Sequence, residues 1–84
     1  MKNEKFSYVY ILISEQAVGK RYIGITDDLE ARLGKHNQGG SPHTEKYRPW
    51  KIETAIAFAS PSKAVEFERY LKTHSGRSFA RRHF

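Results

Sequence analysis

Eighty-four residues without a cysteine are expected to form one small domain, residues 1–84, near the lower size limit for an unaided core; a disulfide framework and a thiolate zinc site are excluded. No apolar run approaches the roughly 20 residues that span a bilayer, and Met1 to Lys5 lack the apolar stretch of a secretory leader, so a soluble cytoplasmic protein is expected. Fifteen Lys and Arg against nine Asp and Glu give a net charge of +6. That excess favours a polyanionic partner through counterion release, or serves solubility alone, and particular residues must decide between the two.

Phe6 to Ile13 is rich in aromatic and β-branched residues and reads as a strand. Phe6, Tyr8, Tyr10 and Leu12 share one face, and Val9, Ile11 and Ile13 the other. A turn over Glu15 to Gly19 returns the chain as a second strand, Lys20 to Thr26. A register with Tyr10 near Tyr22, Val9 near Ile23 and Tyr8 near Gly24 projects both tyrosines from one face, although no Asn-Gly type turn fixes it.

A helix follows from near Asp27, capped by Thr26 or Asp27, with Leu29 and Leu33 as its buried stripe. Arg32 and His36, also four apart, fall in the same arc as those leucines. A solvated helix would turn its charges away from them, so both side chains are expected against the sheet or at its edge. Residues 37–49 are polar, Gly-rich and basic and read as a long loop, where function tends to concentrate. Trp50 to Ser60 is a third strand, with Ile52, Thr54, Ile56 and Phe58 alternating against Lys51, Glu53, Ala55 and Ala57. Ser60-Pro61 opens a second helix running to about Thr73; its stripe is Ala64, Phe67 and Leu71, and Glu68 lies inside that arc. A short basic helix, Ser75 to His83, completes the order β-β-α-β-α-α.

A carboxylate inside an apolar arc is costly unless a cation, a metal or a water-exposed edge meets it. Pairing of Glu68 with Arg32 is the structural alternative to a functional role. Tyr10 and Tyr22 taken singly are ordinary sheet aromatics, and His36 alone a satisfied helix histidine. Together, two tyrosines on adjacent strands, a guanidinium and an imidazole on the next helix and a carboxylate on the one after read as a phosphodiester-cleaving site.

On these residues the chain resembles the GIY-YIG nuclease superfamily over nearly its whole length, and most closely its small stand-alone bacterial single-domain members. Tyr22-Ile23-Gly24 is the second motif unaltered. The first stands as Tyr8-Val9-Tyr10, which keeps the tyrosine and replaces the glycine. Arg32, His36 and Glu68 match in order, as do Glu68-Arg69-Tyr70-Leu71-Lys72 and the Ser75-Gly76-Arg77-Ser78-Phe79 tail. The resemblance implies an α+β fold, a three-stranded antiparallel sheet flanked by helices. It implies an endonuclease that hydrolyses DNA with one divalent metal, Mg2+ or Mn2+, in repair or recombination; low intrinsic sequence specificity is expected of such a site in a chain read as having no appended recognition domain.

By the same resemblance Glu68 would hold the metal, and the metal and Arg32 would stabilise the phosphorane charge. Tyr10 would be the general base, its pKa depressed by a nearby cation. Tyr22 would orient the water or a phosphate oxygen, and His36 would assist proton transfer or hold Tyr10. His43, Thr44, Lys46 and Arg48 in the basic loop are the expected substrate contacts, while Arg77, Arg81 and Arg82 read as a solvated or phosphate-steering face. Branched or single-stranded DNA is the expected partner. A non-catalytic nucleic-acid-binding module and a subunit that needs a protein partner for targeting are the alternative readings.

Overall fold

The computed structural model describes residues 5–84; residues 1–4, most of the segment read above for the lack of a leader, lie outside them. Strands β1 (Ser7–Ser14) and β2 (Arg21–Thr26), helix α1 (Leu29–Asn37), strand β3 (Trp50–Phe58) and helices α2 (Pro61–Leu71) and α3 (His74–His83) follow the expected order. The sheet runs β2-β1-β3 and is antiparallel throughout. β1 takes the middle because Val9, Tyr10, Ile11 and Leu12 are all buried, and a strand apolar on both sides needs a layer over each. Val9 and Ile11 form one core with Ala64, Leu71 and Ala80 of α2 and α3. Tyr10 and Leu12 form another with Trp50, covered by Leu29 and Leu33 of α1. Each fully buried aliphatic side chain stabilises by about 1.5–3 kcal/mol.

Two features of the sheet differ from the sequence reading. The hairpin pairs Tyr10 with Gly24 and Leu12 with Tyr22, two residues away from the expected register. The turn sets it: Ser14 N–H donates to Lys20 O at 3.0 Å, Ser14 Oγ accepts from Gln16 and Ala17 N–H, and Gly19 supplies a φ of 85°. A shift of two preserves the faces, so both tyrosines still project together. In β3, Ile11 faces Thr54 while Leu12 faces Ile52, which leaves Glu53 as the extra residue of a bulge. The single alternation expected from Ile52 to Phe58 is therefore split: Phe58 joins the α2–α3 core, whereas Ile52 and Trp50 join the α1 core.

The helix starts follow side-chain capping. Asp28, rather than Thr26 or Asp27, caps α1, with Oδ1 accepting from Ala31 N–H at 3.1 Å; Thr26 Oγ1 accepts from Asp28 N–H just before it. Ser60 caps α2 ahead of Pro61, and Thr73 caps α3. Gly76 lets α3 fold back onto α2, since a Cβ there would collide with the Tyr70 carbonyl. Residues 38–49 contain one 3-10 turn, Glu45–Tyr47. The two ends of this loop are clasped by Asn37, which donates to Trp50 O at 3.0 Å and accepts from Trp50 N–H at 2.6 Å.

Candidate active site

β1 and β2 set two phenols on the α1 face of the sheet, and Gly24 decides where the first one lies. Tyr10 sits directly across from Gly24 and its ring crosses over it; a Cβ at Gly24 would overlap the hydroxyl and stand 2.5 Å from Cζ. From α1, His36 reaches the same point, with Nε2 3.0 Å from the Tyr10 hydroxyl. On its other side, His36 Nδ1 lies 2.7 Å from Thr44 Oγ1. Thr44 Oγ1 donates in turn to Ser41 O at 3.4 Å, so its lone pair is left for an N–H on Nδ1. The neutral tautomer that satisfies all three groups carries its proton on Nδ1 and offers Nε2 to the Tyr10 O–H. Tyr10, His36 and Thr44 are each at most 2% exposed.

Around this sealed chain lies a more open rim. Tyr22 is half-buried and meets His36 edge-on, with ring centroids 4.9 Å apart. Arg32 is exposed, and its guanidinium lies beside the Tyr10 hydroxyl. It lines a tight cleft with Tyr10, Leu12, Leu29, Leu33 and Ile52. Glu68 reaches the neighbourhood from α2, where its charge acts on Tyr10, and its Oε2 pairs with Lys72 Nζ at 2.6 Å. Burial, then Tyr22 and Glu68, outweigh Arg32 and push the Tyr10 phenol up to about 12. Burial, then Arg32, lower the His36 imidazole below its ordinary value, which keeps Nε2 an acceptor at neutral pH.

The domain model described as the GIY-YIG catalytic domain matches residues 6–82, a span that contains every group above. The chain belongs to the GIY-YIG family. This is a nuclease family, and the similar proteins found are bacterial. A UPF0213 protein of Streptococcus pneumoniae is 40% identical over 67 residues, 79% of this chain and 66% of its own length. One from Cupriavidus pinatubonensis is 34% identical over 76 residues, covering 89% and 82%, and one from Staphylococcus haemolyticus 36% over 69, covering 81% and 82%. The match thus spans just under two thirds of the Streptococcus protein. No solved structure matches the chain significantly. Among the described residues no helix is long and apolar enough to cross a membrane.

Of the residues expected from the GIY-YIG resemblance, the fold gathers Tyr10, Tyr22, Arg32 and His36; Glu68 acts on Tyr10 through its charge. Glu68 pairs with Lys72, not with Arg32, and among the described residues no carboxylate comes within ion-pair distance of Arg32. Depression of the Tyr10 pKa is also not what the structure shows, because desolvation exceeds the pull of the guanidinium. Thr44 was expected to touch substrate, yet it is fully buried with its hydroxyl spent on His36. His43, Lys46 and Arg48 are exposed on the same loop. Two contacts are absent from the sequence reading. Thr44's bond to His36 had no periodic signal in an irregular loop, whereas Lys72, four residues after Glu68, was legible as a helical ion pair. Glu68 is the carboxylate that the resemblance assigns to a metal, and its Oε2 is taken by Lys72. No group of three or more His, Asp or Glu side chains gathers among the described residues, and Mg2+ keeps several waters while taking one or two carboxylates and phosphate oxygens. Lys72 would have to yield Glu68 Oε2 to it.

Proposed function

We propose that this chain is a divalent-metal-dependent endonuclease that hydrolyses DNA phosphodiester bonds with little intrinsic sequence preference. The observation that carries the reading is the hydrogen-bonded line from Tyr10 through His36 to Thr44, which sets a neutral imidazole behind a tyrosine hydroxyl beside Tyr22 and Arg32. With the phenol held near 12, Tyr10 works as a relay and not as a standing phenolate. The attacking water gives its proton to the Tyr10 oxygen while Tyr10's own proton passes to His36 Nε2. Tyr22 orients that water. The Arg32 guanidinium, which lies beside the Tyr10 hydroxyl, would turn to the phosphate, freeing the phenol oxygen and stabilising the charge of the phosphorane. The phosphorus–oxygen bond to the leaving group then breaks, and that oxygen is protonated by water. Glu68 would hold Mg2+ or Mn2+, which when bound supplies positive charge to the phosphoryl group and its nucleophile.

The test is cleavage of single-stranded, duplex and branched DNA with Mg2+ or Mn2+ by the wild type, Glu68→Ala and His36→Gln. Loss of one proton-transfer partner typically costs about 10²–10⁴-fold in rate. Cleavage by the wild type that falls in both variants is expected; equal rates in all three proteins would overturn the reading.

A further inference from the structure

On the opposite side of β2 from Leu29 and Leu33 lies a second concavity, which shares Tyr22 with the candidate site. A groove of about 550 Å³ runs between the hairpin and α3, bordered by Lys20, Arg21, Tyr22, Lys72, Arg77 and Arg81. Five of these six are cations, and among the described residues no carboxylate lines it. Two of the five are already matched: Arg21 pairs with Glu53 at 2.8 Å, and Lys72 with Glu68. Arg77 and Arg81 are not. Both are exposed, one helical turn apart, on a helix without a single acidic residue, and among the described residues neither has a carboxylate within ion-pair distance. Like charges four apart on a helix repel, so the free protein tolerates here a cost that a bound anion would relieve.

We infer that this groove holds the phosphates of a single nucleic-acid strand running to or from the cleavage site. This rests on the reading of the Tyr10 site as one that cleaves phosphodiesters. Three observations select the occupant. Two guanidinium groups a turn apart with no carboxylate partner, bordered by Lys20, suit successive phosphates of a chain better than one small anion. At about 550 Å³ the groove has the size of a small-ligand pocket, which matches a few nucleotides of one strand. It is also continuous with the site: Tyr22 borders the groove and touches His36, and Lys72 borders it while pairing with Glu68. Among the described residues the edge of β2 carries no further strand, which would let a polymer pass from one face of the sheet to the other at Tyr22. An aromatic ring at the mouth of a cationic groove is also the usual construction for binding single strands.

The test is binding of a labelled single-stranded 20-mer and of the same sequence as a duplex, by fluorescence anisotropy in EDTA, over a range of salt concentrations. The proteins compared are the wild type, Arg77→Gln/Arg81→Gln and, as a control on the exposed loop, Lys46→Gln/Arg48→Gln. Each lost phosphate contact to a single strand should reduce the slope of log K against log salt by about 0.7, hence by about 1.4 for the α3 pair. An unchanged slope in that variant, or a loss confined to the loop variant, overturns the groove; an equal loss on the duplex overturns its restriction to one strand. Circular dichroism confirms that the variants are folded. Because no divalent ion is present, the binding result stands apart from cleavage: a protein that binds through Arg77 and Arg81 but cuts nothing would remove the nuclease reading and leave the groove.

Discussion

Gly24→Ala isolates the contact on which the site is built. At an ordinary strand position this change should stabilise the protein by about 0.4–1 kcal/mol, because alanine has less backbone freedom to lose. Here the new methyl would stand 2.5 Å from Tyr10 Cζ. Ordinary carbon contact lies at about 3.5–4.0 Å, so ring and methyl must separate by about 1 Å. Tyr10 is 2% exposed and bonded to His36 at 3.0 Å, and it cannot move that far without losing the bond. Overpacking costs about 1–3 kcal/mol, and a buried imidazole nitrogen left without its partner a similar amount. The net loss is roughly 1–5 kcal/mol after the backbone gain is subtracted, and at about 4–8 °C per kcal/mol Tm falls by at least about 4 °C. Urea and thermal unfolding followed by circular dichroism would read it, and the same substitution in a Tyr10→Ala background should be harmless or stabilising, which makes the pair a double-mutant cycle. A Gly24→Ala protein as stable as the wild type, or more so, refutes the reasoning.

Acid should weaken the fold through His36. Its folded pKa is lowered, so between that value and 6.5 the unfolded chain binds more protons; stability is full above pH 6.5 and declines as pH falls towards the folded value. Urea midpoints measured from pH 8 to pH 5 should show this slope in the wild type and not in His36→Gln. At the alkaline end, the Tyr10 contribution is complete below pH 10 and is lost as pH rises to about 12, and an ultraviolet titration should find one phenol ionising late. Thr44→Val should leave the buried His36 Nδ1–H without an acceptor at a cost of about 1–3 kcal/mol. Nitrogen chemical shifts should report a changed tautomer of His36, and Thr44→Ser should restore both stability and tautomer.

Much of this molecule was legible in periodicity. The arc shared by Leu29, Arg32, Leu33 and His36 placed an imidazole under a helix, and His36 is buried there. The Ser60-Pro61 helix start and the stripe of Ala64, Phe67 and Leu71 recur in α2. What escaped depends on geometry that a period cannot carry. The hairpin register came from Ser14 folding its hydroxyl into the turn, and the bulge at Glu53 inverted the faces of β3 midway. The raised pKa of Tyr10 reflects the depth at which its ring is buried, where desolvation exceeds the attraction of Arg32. Such a balance is a property of packing, and motif spacing gives only the partners.

The clasp formed by Asn37 and Trp50 makes a closed ring of residues 38–49, pinned at one interior point where Thr44 meets His36. A ring tied at both its neck and its waist can change length in either lobe without moving the imidazole. Loop closure grows more costly only logarithmically with length, so extra residues inserted after Thr44, in the lobe carrying Lys46 and Arg48, would lengthen the exposed basic arm while leaving the hydrogen-bonded line from Tyr10 to Thr44 untouched. The span of that arm and the buried line beneath it are thereby free to vary separately.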